Sequence, residues 1–167
     1  MAERLTIVEK DRINYEGIFD AKEVFNVIKD WTLDKGYIFV EKSHSESTKA
    51  EGKYIDMNME HFKKFTDYAK SILKMRMQFN EVKDVVVEHD GKKTKQQEGK
   101  ISIVFDGILE TDYESKWESK PIYYILRVLF EKYLYTPFIS GFERTIAGDV
   151  NSLKNNLKSF LNMTKYR

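Results

Sequence analysis

Four methionines at two-residue spacing, Met57 with Met59 and Met75 with Met77, are among the residues of this chain best suited to receiving another molecule. The others are the aromatics crowded between Tyr123 and Phe142. Unbranched thioether chains adapt to irregular apolar shapes, and aromatic rings supply large, rigid contact surfaces. With Phe105, Tyr123, Phe130 and Phe142, the methionines would line an apolar pocket. The plainer reading makes them ordinary core positions on alternating strands. The aromatics are harder to absorb. Residues 122–130 carry apolar or aromatic side chains nearly all round a helix, whereas a core-facing stripe covers roughly 100°. Some of these rings must meet more than one side of a sheet: a second helix, a ligand or a partner.

Acid–base, nucleophilic and metal chemistry find less support. His44, His61 and His89 fall on different segments with no HExxH or HxH spacing, so no metal site is expected. The chain has no cysteine, which removes disulfides, thiolate catalysis and cysteine-held zinc or iron–sulfur centres together. No GxxxxGK[ST], GxGxxG or nucleophile-elbow pattern occurs, and no cofactor is expected. Asp106, Glu110 and Asp112 share a strand face, an arrangement that suits a cation or a proton donor. Opposite Lys70, Lys74 and Arg76 on a neighbouring wet face, it better suits solvated cross-strand charge pairs. An enzyme would have to work without a cofactor, as a cyclase or hydrolase-like domain, from groups such as Tyr68, His89, Asp106 or Glu110.

Composition bounds the remaining classes. With 167 residues, 41% hydrophobic and 14% aromatic, the chain can build one core, and no linker or repeat divides it, so residues 1–167 are read as one domain. A net charge of +1 argues against a nucleic-acid binder, even with Lys92, Lys93 and Lys95 close together. No apolar run is long enough to span a membrane, and the first residues lack a secretory core, so a cytoplasmic protein is expected.

The elements that must position these residues follow from period. Residues 3–18 alternate as an edge-like strand. Asp20 with Glu23 offers a capping box for a helix carrying Val24, Val27, Ile28 and Trp31, stopped by Gly36. Residues 37–43 predict a short strand and 44–52 a polar turn. Alternation returns over 53–65 and most clearly over 68–80, where Ala69, Ser71, Leu73, Met75, Met77 and Phe79 share a face. The segment 60–75 also has helical spacing, but alternation favours a strand from Ser71 onward. Strands at 82–89 and 100–113 pair around a polar segment, with Asp90-Gly91 as turn dipeptide and, if the loop is longer than two residues, Lys92–Glu98 as a solvated tip. Residues 119–136 predict a helix opened by Ser119 and Pro121, and Pro137 interrupts it. From Phe138 to Leu161 a terminal helix carries Phe142, Ile146, Val150, Leu153, Leu157 and Phe160, with Asn151, Lys154 and Lys158 on the wet flank. Gly148-Asp149 leaves it open whether that helix is continuous.

This order predicts an α+β fold, an antiparallel sheet wrapped against a long C-terminal helix. It resembles the helix-grip fold of the START / Bet v 1-like (SRPBCC) superfamily. The residues bearing the likeness are the Ile13–Ile18 strand, the Asp20–Gly36 helix, the strands at 53–80 and 100–113, and the terminal helix. The resemblance implies an apolar small molecule or lipid between sheet and C-terminal helices, bound without catalysis. Other members are cyclases, ring-hydroxylase components, co-chaperones or partners of other proteins. A protein-interaction or homo-oligomer surface on the aromatic segment 119–142 is the alternative.

Overall fold

A computed structural model of the chain describes residues 3–89, 91–111 and 136–165. Within them the chain runs β1 (Glu3–Phe19), α1 (Ala21–Asp34), β2 (Ile38–Lys49), β3 (Gly52–Lys64), β4 (Ala69–His89), β5 (Lys92–Thr111) and α2 (Thr136–Lys165). The strands form one antiparallel sheet in the order β1-β5-β4-β3-β2, so β1 closes against the last strand and β2 is the opposite edge. The fold is α+β. Of the helix expected over 119–136, residues 119–135, with Tyr123 and Phe130, lie outside the described residues, as does Asp112, and Thr136 opens α2.

Local chemistry sets the boundaries. Asp20 caps α1, its Oδ1 accepting from the backbone N–H of Lys22 at 2.9 Å and of Glu23 at 3.3 Å. Glu23 does not complete the reciprocal box, because its carboxylate accepts from Asn26 Nδ2. The helix ends in a Schellman arrangement. Gly36, at φ 71°, lets its own N–H reach the Leu33 carbonyl and the Tyr37 N–H reach the Thr32 carbonyl. In β1, Lys10 has a positive φ inside a register shift between Val8 and Asp11. The Asp106 carboxylate accepts its N–H at 2.7 Å, which gives Asp106 a structural task.

Two expected loops are strands. The polar run over 44–52 continues β2 to Lys49, and every residue of β2 is exposed. An edge strand wet on both faces has no apolar alternation to display, so its sequence reads as a turn while its backbone follows the ladder to β3. The segment Lys92–Glu98 likewise pairs with Lys83–His89, which makes β4 and β5 two long strands joined around Gly91. A shift between Asn80 and Lys83, with Glu81 at φ 56°, marks where the hydrophobic face ends and the wetter arm begins.

The core lies between α2 and one sheet face. Ala69, Ser71, Leu73, Met75, Met77 and Phe79 of β4 are all buried on that face, beside Ile101, Ile103, Phe105 and Leu109 of β5. From above, Ile146, Val150, Leu153, Leu157 and Leu161 of α2 meet them, and the helix runs unbroken through Gly148-Asp149. Pro137 sits in its first turn, where a missing N–H costs no helical bond. Gly107 permits the close approach, since a Cβ there would lie 2.8 Å from Ile146 Cγ2. Lys154 is not on a wet flank: it is half-buried and bonded to Asp11, which holds the Asp11 carboxyl below its ordinary range.

On the opposite face, Lys74 and Arg76 pair with Glu60 and Asp56 of β3, not with acids of β5. The Lys70–Glu110 pair does form, at 2.5 Å, and Arg4 Nε adds a second contact at 2.8 Å. Yet Glu110 is buried, so this is no solvated pair. Burial pushes its carboxyl up, but Lys70 and then Arg4 outweigh it and hold the group below its usual value.

Ile146→Asp should destabilise by roughly 3 kcal/mol or more, through lost burial and an unpaired charge. Gly107→Ala should cost ~1–3 kcal/mol by wedging β5 and α2 apart. Urea melts read both, and near-zero losses would mean that α2 does not close the core.

Candidate functional site

A cleft of about 600 Å³ opens between α1 and the β2 side of the sheet. One wall is a face of α1: Phe25, Asn26, Ile28, Lys29, Thr32 and Leu33. The other is Tyr37 with Ile38 and Phe39 of β2, and Met59 of β3 forms part of the lining. Its origin is geometric. The buried side of α1, Val24, Ile28, Trp31 and Thr32, turns toward the core and α2, so β2 gets little cover. Large apolar groups therefore stay wet at the mouth, with Leu33 at 66%, Ile38 at 70% and Phe39 at 46% exposure. Such a grouping is the usual mark of a binding surface.

Beneath the cleft, Tyr37 joins three elements. Its hydroxyl donates to Asp149 Oδ2 of α2 at 2.8 Å and lies 3.1 Å from Ser71 Oγ of β4. Its ring stacks on Trp31 at 5.4 Å, and Trp31 Nε1 donates to Ser152 Oγ at 3.2 Å. Burial, and then the Asp149 carboxylate, raise the Tyr37 phenol well above its ordinary 10.0, with the Ser71 bond pulling the other way. The proton therefore stays on Tyr37 and the network is a fixed strut. Sequence reading missed it. The available signal was an acid, Asp149, set among the apolar stripe positions Ile146, Val150 and Leu153.

His61 is the second buried polar group near the cleft. It stands on the sheet face of Met59, directly across the ladder from Phe39, with ring centroids 5.4 Å apart. It is fully buried, and neither ring nitrogen has a hydrogen-bond partner. Burial pulls its imidazole below the ordinary 6.5, and the Leu73 main chain, opposite it in β4, offsets only part of this. A neutral orphan imidazole can accept or donate one hydrogen bond to whatever reaches it.

The expected pocket residues divide. Met57, Met59, Met75, Met77 and Phe105 all sit in the buried cluster on one sheet face, and of these Met59 alone lines the cleft. Phe142 is partly buried and stacks on Phe65 at 4.7 Å, with the rings nearly parallel. Tyr123 and Phe130 lie outside the described residues. His44 is exposed on β2, 4.0 Å from Glu41, and the His89 side chain is outside what is described. Among the described residues no three His, Asp or Glu side chains converge as a metal set, and no helix is long and apolar enough to cross a membrane.

Compared with known families and with curated proteins, the chain matches no family model and no curated sequence.

The buried His61 predicts a pH effect. As pH falls below 6.5, the unfolded imidazole takes up a proton that the folded ring takes up only at lower pH. Stability should therefore decline on acidification from that point, until the folded ring also protonates. His61→Phe should remove this part of the slope, measured by urea midpoints between about pH 7.5 and 5. The variant should also be ~1 kcal/mol more stable at the upper pH, since two orphan nitrogens are gone. Superimposable pH profiles would contradict this account.

Proposed function

We propose that the protein is a non-enzymatic binding domain that takes an apolar small molecule in the cleft between α1 and β2–β3. The observation carrying the proposal is the cleft wall itself: Phe25, Ile28, Leu33, Ile38, Phe39 and Met59 around a space of about 600 Å³, a size typical of small-molecule sites. The element order supports a helix-grip reading. β1 pairs with the last strand, α1 separates it from the meander β2–β5, and the long terminal helix lies across one sheet face. This site differs in place from one under the C-terminal helix, because among the described residues those lining it come from α1, Tyr37, β2 and β3.

A second reading has its own observation. β2 is a sheet edge with Ile38, Phe39 and Val40 exposed, which suits association with another chain. Light scattering across a concentration series separates the two, because edge association changes molar mass and small-molecule binding does not.

The test is saturable binding of an uncharged apolar fluorophore, such as Nile red. Leu33→Gln with Ile38→Thr should weaken binding by roughly tenfold, since each change strips apolar wall. Because both positions are largely exposed, the melting midpoint should move little. Absence of saturable binding by the unaltered protein, or equal affinity in the double variant, defeats the cleft as the site.

A further inference from the structure

Lys29 stands at the centre of the α1 wall. Its helical neighbours three and four residues away are Phe25, Asn26, Thr32 and Leu33, and all four line the same cleft. None is charged, so Lys29 lacks the acidic partner that a solvated helix face usually supplies. Among the described residues it makes no ion pair, and it is the one charged side chain of the lining. Some cations elsewhere are matched, Lys42 with Glu60, Lys70 with Glu110, Arg76 with Asp56 and Lys154 with Asp11; what sets Lys29 apart is its place in an otherwise uncharged apolar lining.

The other polar groups of the lining are neutral, and each already makes a hydrogen bond within the protein. Thr32 Oγ1 donates to the Ile28 carbonyl at 2.7 Å, and the Tyr37 hydroxyl is held by Asp149 and Ser71. Asn26 Nδ2 donates to Glu23, 3.2 Å away. Among the described residues, what the cleft offers an incoming molecule is thus an apolar wall and one uncompensated ammonium. A cationic guest would be repelled there, and a guest with no head would leave the ammonium unused. An anionic head gains a charge-assisted hydrogen bond while its tail covers Leu33, Ile38, Phe39 and Met59.

We propose, resting on the cleft reading above, that the ligand is a free single-chain amphiphile with a carboxylate head, bound by Lys29 Nζ at the mouth with its alkyl chain along the α1–β2 wall. A pocket of this size takes one chain, which favours a free carboxylate over the surface of a bilayer.

Displacement of bound Nile red measures it, at pH 7.5 and below the micelle concentration, with decanoate, decanol and decyltrimethylammonium. Decanoate should bind roughly tenfold more tightly than decanol, and the ammonium compound most weakly. Lys29→Met keeps the aliphatic stem and should bring decanoate and decanol together, whereas Lys29→Arg should keep the preference. Added salt should narrow the gap in the unaltered protein and in Lys29→Arg, but not in Lys29→Met. Equal affinity for decanoate and decanol in the unaltered protein, or a preference that survives in Lys29→Met, overturns the head assignment and leaves the cleft reading standing. Failure of Nile red and of all three ligands to bind overturns both. Binding to phosphatidylglycerol vesicles without binding of decanoate overturns the free carboxylate in favour of a membrane headgroup.

Discussion

The helical side of this sheet depends on how closely α2 approaches β5. At Gly107 no side chain intervenes, and Ile146 and Val150 come down onto the strand itself. That contact sets the height of the helix over β1, β5 and β4, and with it the thickness of the core that Met75, Met77, Phe105 and Leu153 fill. Interiors are packed densely enough that such a spacing is not freely adjustable. It also brings Asp149 and Ser152 to the level where Tyr37 and Trp31 reach them.

The position of α1 follows from that. It is tied to α2 by two side-chain hydrogen bonds, one direct and one through the residue after its C-cap glycine. Drawn toward α2, α1 spans only part of the remaining sheet. Two helices over five strands leave one strand bare among the described residues, and the bare strand is β2. The cleft is the gap that results. A buried carboxylate whose hydrogen bond comes from a buried phenol is costly to disturb. The gap is therefore a fixed consequence of the core rather than an accident of the surface.

How much of this was legible depended on which faces were dry. The alternation of Ala69 to Phe79 and the stripe from Ile146 to Leu161 were readable because one side of each element is buried and the other wet. Asp20 and Gly36 were readable because capping is local chemistry. His44 to Lys49 and Lys92 to Glu98 were not, because strands wet on both faces show no period and are held by a ladder that sequence does not display. The α+β class and the element order were open to sequence reasoning. The site was not: it joins a helix face at 25–33 to strand residues at 37–39 and 59, and the relevant charge is defined by its missing partner. The methionines drew attention by type, yet type does not separate Met59 at the cleft from Met57, Met75 and Met77 in the core.

The all-exposed burial pattern of β2 has a further consequence. A strand that places no side chain in the core adds almost no apolar burial to the folded state, so the backbone ladder to β3 and a few surface contacts such as Lys42–Glu60 retain it. Its free energy of local opening is then set by those bonds and not by global unfolding, which puts it at the low end of the protein's range of opening energies. Strands β4 and β5, whose side chains fill the core, stand at the other end. One wall of the cleft is a helix pinned to the core, and the other is a strand free to fray without it. The amides of β2 should thus exchange with solvent through a motion that leaves the rest of the sheet closed.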